Sequence, residues 1–273
     1  MKAYFINLDS ATERAAFMAK QFAQAGISNP IRFSAIDASK GFENTGYTPH
    51  KWGPYWTLRN TEIAVFESHR ALWKEIYASG KPGAIFEDDV FLSKTAGDIL
   101  ARFDGLNCDF SMVKLDALRE EIRLGGERVL CGETVRPIMQ VVPSAAAYVL
   151  SPKTAQDLLK RTECYCDHVD DTLTKPIPGY RAMQLMQAIA VQGMFADISG
   201  RLGVPSSIFG SERTTARPIQ ETYDRGPASY RILKELRRTA RKISRRLFSD
   251  NALVRKGGYI GIVPLAEDLP NYK

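Results

Sequence analysis

The stretch Gly83-Ala84-Ile85-Phe86-Glu87-Asp88-Asp89-Val90-Phe91-Leu92 constrains this chain more than any other. It places three adjacent acids inside the kind of apolar run that makes a buried strand. In an extended chain alternate side chains share a face, which sends Glu87 and Asp89 one way and Asp88 the other. Burying three carboxylates in a hydrophobic strand is costly unless something compensates their charge. A hard divalent cation with oxygen ligands, Mg2+ or Mn2+, would do so and could hold a diphosphate as well. The plainer alternative is a strand ending at the surface, with Asp88 or Asp89 capping the following turn.

A chain of 273 residues suffices for one large domain or two small ones. No apolar run approaches the roughly 20 residues that span a bilayer. Residues 1–8 are too short for the apolar core of a signal peptide and read as a strand, so a cytoplasmic protein is expected. Cys108, Cys131, Cys164 and Cys166 lack zinc-site spacing and are expected as reduced thiols. Ser10 and Glu13 have the capping-box spacing, and Phe17, Met18, Phe22 and Ala25 recur helically before Gly26. The spacing predicts a helix over 10–25, followed by a strand over 31–36. Strand, helix and strand predict an α/β domain with a parallel sheet, whose ligands gather beyond the carboxyl ends of the strands. Asn7 and Asp9 stand at one such end, and Arg14 lies just beyond it. A solvated helix face is the ordinary alternative for Arg14. Residues 41–58 form a long irregular loop whose aromatics Phe42, Tyr47, Trp52, Tyr55 and Trp56 suit stacking on a sugar or base, or covering the core. A helix over 61–79, stopped by Gly80, sets Glu62 and His69 on one face two turns apart, with Ser68 adjoining His69.

The order Ile6-Asn7-Leu8-Asp9…Arg14, then Glu62…Ser68-His69, then Phe86-Glu87-Asp88-Asp89-Val90 resembles glycosyltransferase family 25. This is the lipooligosaccharide biosynthesis group of bacteria, related to collagen β-galactosyltransferases. Ala147-Tyr148-Val149-Leu150-Ser151-Pro152 with Ala155 and Leu158-Leu159, and then His168-Val169-Asp170-Asp171, resemble two later stretches of the family. The likeness covers about residues 2–210. It implies a GT-A type fold, a Rossmann-like mixed sheet with helices on both faces. It also implies inverting transfer of a hexose, galactose or glucose, from a UDP-sugar to a glycan or glycolipid acceptor such as lipopolysaccharide core. By that carry-over Glu87 and Asp89 hold the metal, Mn2+ or Mg2+, with the diphosphate, and Asp88 lies near the ribose or sugar. Asn7, Asp9, Arg14, Glu62, Ser68 and His69 would belong to the donor site. Two departures bear on the shape of the donor pocket. Asn60-Thr61 stands before Glu62 where the family usually has glycine, and Pro143-Ser144-Ala145 replaces a glycine common before the later strand. An inverting displacement needs a base for the acceptor hydroxyl. Asp170 and Asp171 are the candidates, unless with His168 they cap a helix starting near Thr172.

Residues 110–115 read as a strand, with Lys114 a candidate phosphate or sugar contact. Residues 122–142 read as a hairpin, 152–160 as a helix with proline in its first turn, 174–179 as loop, 183–189 as a short helix and 191–197 as a strand. Residues 205–210 close a domain over 1–210, 211–227 form a linker, and 228–273 hold a basic amphipathic helix and tail. In 228–248 eight Arg or Lys face the single Glu235, a charge of +7 against +6 for the whole chain, so the remainder carries −1. Tyr230, Leu233, Leu236, Ala240, Ile243 and Leu247 make its apolar stripe. Such a helix suits an anionic membrane surface. Nucleic-acid binding is the runner-up, but the interleaved aromatics that bases favour are missing, so no nucleic acid is expected as a partner, and a packed helix with a solvated basic face is the plain alternative. The combined reading is a cytoplasmic, metal-dependent glycosyltransferase, peripheral to the inner face of the cytoplasmic membrane. A metal-dependent phosphodiesterase on the same acids and a catalytically inactive glycan-binding module are the other readings. The first would want more metal-ligating residues than His50, His69 and His168 add.

Overall fold

Strand β1 (Lys2–Asn7) buries Tyr4 and Ile6 on one face and Ala3 and Phe5 on the other, so the chain needs cover on both sides from its first element. The computed structural model describes residues 1–43, 46–52, 57–104, 110–197, 224–244 and 250–273. β1 pairs in parallel with β2 (Ile31–Ser34) and with β3 (Gly83–Glu87). β9 (Ala147–Leu150) runs antiparallel between β3 and β5 (Met112–Lys114). Beyond β5 lie β10 (Met183–Leu185), β8 (Glu133–Pro137) and β7 (Arg128–Leu130), giving the order β2-β1-β3-β9-β5-β10-β8-β7. Two small sheets pair β4 (Val90–Leu92) with β11 (Ala190–Gln192), and β6 (Ile122–Leu124) with β12 (Tyr259–Gly261).

Helices α1 (Thr12–Gln24) and α3 (Ala96–Phe103) cover one face, where Met18, Phe22, Ile99 and Phe103 pack on Phe5, Phe86 and Val149. Helices α2 (Asn60–Ser79), α4 (Pro152–Arg161) and α5 (Val169–Thr174) cover the other, with Phe66, Trp73, Ile76, Leu158 and Leu173 on Tyr4, Ile85 and Tyr148. Phe66, Trp73 and Ile76 have no exposed surface, and burying each such side chain contributes roughly 1.5–3 kcal/mol. Gly80 ends α2 at φ 65°, in the left-handed region that glycine enters without a Cβ penalty. The expected mixed α/β sheet with helices on both faces is present. Its order reverses at β1, and in open α/β sheets ligands bind at such a switch point, beyond the carboxyl ends of the strands.

Several local expectations change. The acidic stretch is not one strand: β3 stops at Glu87, and Asp88-Asp89 form a turn before β4. α1 starts after Ala11 rather than Ser10, without a side-chain cap, because Leu8 to Ser10 are spent on a turn closed by Ala11 N–H donating to Leu8 O. Residues 183–185 form β10 rather than a helix, since β5 and β8 offer edges on both sides. α5 starts at Val169, three residues earlier than expected. Cys131 is disulfide-bonded rather than a reduced thiol, while Cys164 and Cys166 are free. Four cysteines allow three pairings, and spacing does not choose among them.

The C-terminal residues are not a separate tail. β12 pairs with β6, Val263 enters the core beneath α2, and Ala266 and Leu269 pack with Phe91 and Val191. Asp268 accepts from Ser93 Oγ and Lys94 N at 2.7 Å each. The basic helix α6 (Ala228–Ser244) is followed by α7 (Asp250–Arg255). Ile232, Leu233, Leu236 and Ile243 of α6 are 45–62% exposed, so among the described residues these apolar side chains are not packed on the domain. Its start is held by Tyr230 against Trp52, ring centroids 4.8 Å apart. Phe42 and Tyr47 cover the core, whereas Tyr55, Trp56, residues 205–210, most of the expected linker and residues 245–248 lie outside the described residues.

Candidate active site

The carboxyl ends of β1 and β3 meet, and their polar residues lock together. Asn7 Nδ2 donates to Asp88 Oδ2 at 2.7 Å and to Ala11 O at 3.1 Å. Arg14, one turn into α1, is buried rather than solvated. Its Nη1 lies 2.8 Å from Asp88 Oδ1 and its Nη2 3.1 Å from Asp89 Oδ2. One guanidinium thus spans both acids of the turn. Gln192, at the end of β11, reaches the same place: Nε2 donates to Glu87 Oε2 at 2.9 Å and to Asp89 Oδ2 at 3.2 Å. Glu87 and Asp89 therefore converge through Gln192, not through strand alternation.

Among the described residues the cluster is short of positive charge. Burial pushes Glu87 up to about 7, and Asp116, Asp88 and Asp170 add to the rise. Asp89 is likewise pushed up to about 7, by burial first and Glu87 second. Asp88 is raised by burial, with Arg14 and Asn7 opposing. Asp89 Oδ1 is buried without a hydrogen-bond partner.

His69 backs Glu87 from α2. Trp73 Nε1 donates to the Tyr148 hydroxyl at 2.8 Å, and that hydroxyl lies 2.8 Å from His69 Nδ1. The indole can only donate, so the hydroxyl proton is assigned to His69 Nδ1 and the ring proton to Nε2. Nε2 has no hydrogen-bond partner and lies 3.9 Å from Glu87 Oε1. Burial drives the His69 pKa down to about 3, so the ring is neutral.

A second group forms between β5, β9 and α5. Lys114 Nζ donates to Asp116 Oδ1 at 2.6 Å and to Ser144 O at 2.7 Å, and both charged side chains are 1% exposed. Ser144 Oγ donates to Asp116 Oδ2 at 2.6 Å, and Ser144 N donates to Asp170 Oδ2 at 3.1 Å. Asp170 Oδ1 accepts from Asp171 N at 3.0 Å. Asp171 instead faces His168, 3.8 Å from its Nδ1, while His168 Nε2 lies 3.3 Å from Glu62 Oε1. Those two carboxylates raise His168 to about 9. Among the described residues, ligand atoms of His168, Asp170 and Asp171 lie within 4.8 Å of one another, but a ring held protonated is a poor metal ligand.

The structure thus gathers Asn7, Arg14, His69, Glu87, Asp88 and Asp89 in one site, with Asp170 beside it. It sets others apart. Asp9 stands on the exposed rim, bonded to Arg32 and Ser34, which lower its pKa. Ser68 braces the loop after β2, accepting from Ile36 N and donating to Ala64 O. Lys114 points to Asp116, and Glu62 to Arg59 N and His168. Gln192, Asp116 and Ser144 were missed, since each stands alone in sequence. Only the departure at Pro143-Ser144-Ala145 marked one of them.

An acidic cluster thus stands at the switch point of a mixed α/β sheet, the place where open α/β sheets take their ligands. The model of glycosyltransferase family 25 (LPS biosynthesis protein) matches residues 1–173. The chain belongs to that family. It is 29% identical over 220 residues to the lacto-N-neotetraose biosynthesis glycosyltransferase LgtB of Neisseria meningitidis serogroup B (strain ATCC BAA-335 / MC58), covering 75% of this chain and 71% of the relative. It is 31% identical to LgtE of Neisseria gonorrhoeae, over 59% of this chain and 60% of the relative. The lipooligosaccharide biosynthesis protein lic2B of Haemophilus influenzae is also 31% identical, over 57% of this chain and 61% of its own. Among the described residues no helix is long and apolar enough to cross a membrane.

Proposed function

We propose that this glycosyltransferase moves a hexose, galactose or glucose, from a UDP-sugar to a hydroxyl of a lipooligosaccharide or lipopolysaccharide core, with inversion. The observation that carries this reading is the excess, among the described residues, of negative charge at the β1–β3 switch point, where Asp89 Oδ1 is buried without a hydrogen-bond partner. That donor set fits a hard divalent cation. Glu87 and Asp89 would be the ligands, and Mn2+ or Mg2+ bound there would stabilise the charge on the departing diphosphate. Asn7 and Arg14 hold Asp88 in place beside the donor. His69 presents Nε2–H toward Glu87, 3.9 Å from its Oε1.

Asp170 is the base. Both of its oxygens accept backbone N–H groups, which fixes the carboxylate at the start of α5 and leaves lone pairs for an acceptor hydroxyl. As the hydroxyl proton passes to Asp170, its oxygen attacks the anomeric carbon from the side opposite UDP. The bond to the β-phosphate oxygen breaks, and the electron pair leaves with UDP. Asp171, held by His168, braces α5 rather than the reaction.

The exposed apolar stripe of α6, flanked by Arg231, Lys234, Arg238 and Lys242, is read as a contact with the anionic inner face of the cytoplasmic membrane, where a lipid-linked acceptor is found. Incubation with Mn2+, a panel of nucleotide sugars and a core oligosaccharide tests the whole reading. UDP-galactose or UDP-glucose should be consumed with product formed. Cleavage of phosphodiesters without sugar transfer, or sugar binding without turnover, would refute it.

A further inference from the structure

Among the residues around the site, Ser144 is the one in a strained conformation. Its φ is 83°, in the left-handed region that a β-carbon makes costly and glycine does not. It sits just before β9, at the same edge of the sheet as Glu87 and Lys114. All three of its polar groups are used. The hydroxyl donates to Asp116 Oδ2, the carbonyl accepts from Lys114 Nζ, and the N–H donates to Asp170 Oδ2. Among the described residues, the other non-glycine residues at positive φ are Asn29, Cys131 and Gln187. The Lys114–Asp116 pair is buried and anchored a second time by Ala147 N–H at 3.2 Å, so it is a fixed point of the fold. Asp170, on a short helix of six residues, takes one bond from that helix, Asp171 N–H to Oδ1, and the other from Ser144 N–H.

We infer that Ser144 is a positioning residue, tying the base Asp170 to the buried Lys114–Asp116 pair. This rests on the transferase reading, in which Asp170 accepts the acceptor proton. The left-handed turn aims the N–H at Asp170, and the hydroxyl and carbonyl hold that turn against Asp116 and Lys114. The backbone strain persists because these bonds over-determine it. Lys114 accordingly acts as the anchor of the base and not as a phosphate contact.

Two variants separate positioning from folding. Ser144→Gly removes the hydroxyl and the strain, whereas Ser144→Ala removes the hydroxyl and keeps the strain. Both should lower kcat for transfer by about tenfold or more, while donor KM stays within about threefold and hydrolysis of donor by water is little changed. The alanine variant should melt below the glycine variant. Parental kcat in Ser144→Gly overturns the assignment, as does a loss shared equally by transfer, hydrolysis and folded fraction. If the parent protein turns over no nucleotide sugar, the transferase reading fails by itself. The tie is then read in the free protein from the carboxyl 13C signals of Asp116 and Asp170, which should both move in Ser144→Ala. Unmoved signals would overturn it.

Discussion

Replacing Asp89 by asparagine removes one of two mutually repelling carboxylates, the more deeply buried one, and leaves the shape unchanged. Asp89 is 10% exposed at its side chain, and its pKa is pushed up to about 7 from an ordinary value near 3.8, by burial and by Glu87. Glu87 is raised to about 7 from 4.5. A carboxylate whose folded pKa lies above its unfolded value contributes most below the unfolded pKa, and that contribution is lost as pH rises through the folded one. The metal-free parent should therefore lose stability between about pH 4 and pH 8. Each pKa unit is worth about 1.4 kcal/mol, and since the two groups are coupled, a loss on the order of 3 kcal/mol is the right scale. Asparagine keeps an oxygen for Arg14 Nη2 and Gln192 Nε2, which Asp89 Oδ2 now bonds, and puts its amide where Oδ1 has no partner. Asp89→Asn should then be more stable than the parent by about 1–3 kcal/mol at pH 8. At pH 5, where both parental acids are largely protonated, the two should differ little. Urea unfolding followed by circular dichroism at both pH values, without divalent cation, measures this. A variant less stable than the parent at pH 8 would refute the reasoning and make the Arg14–Asp89 pair a structural ion pair.

Asp170→Asn should cut transfer by roughly 10²–10⁴-fold while UDP binding persists, as steady-state rates and calorimetry would show. Asp171→Asn should leave turnover near parental and lower the pKa of His168, now about 9, as 15N chemical shifts report. His168 stabilisation is complete below about pH 6.5 and is lost as pH rises through about 9, so thermal melting between those values should fall less in Asp171→Asn. Deleting residues 259–273 should expose the surfaces under Val263, Ala266 and Leu269 and give insoluble or unfolded protein, and a soluble, cooperatively folded deletion product would contradict the packing. Leu236→Glu on α6 should weaken binding to phosphatidylglycerol vesicles severalfold without changing the melting temperature, because Leu236 is 62% exposed.

Much of the fold was legible because apolar periodicity reports burial directly. The helical recurrence of Phe17, Met18, Phe22 and Ala25 led to the face of α1 that packs on Phe5 and Phe86. Where it failed, tertiary pairing overrode local pattern. Residues 183–185 join β5 and β8, and the run 83–92 breaks at Asp88 because Asn7 and Arg14 draw the acids into a turn. The acidic triplet announced the site, since three adjacent carboxylates in an apolar run demand compensation. What compensates them was only partly readable. Arg14 resembles any helix-face arginine until Asp88 and Asp89 are seen against it, and Gln192 stands over a hundred residues away on β11. Lys114 read as a ligand contact because a lysine after an apolar strand has no visible partner, yet Asp116 lies two residues on and binds it. The C-terminal strand β12 escaped because Tyr259–Gly261 is only three residues long and its partner β6 lies far back in the chain.

The central claim is that Glu87 and Asp89 hold a divalent cation and, through it, the diphosphate of the donor. Calorimetric titration of UDP into the parent protein and into Asp89→Asn, each with and without Mn2+, tests it most directly. The account predicts tight binding to the parent only with Mn2+, and a loss of about tenfold or more in affinity on substitution, in line with removal of a metal ligand. Equal UDP affinity in all four titrations would contradict it.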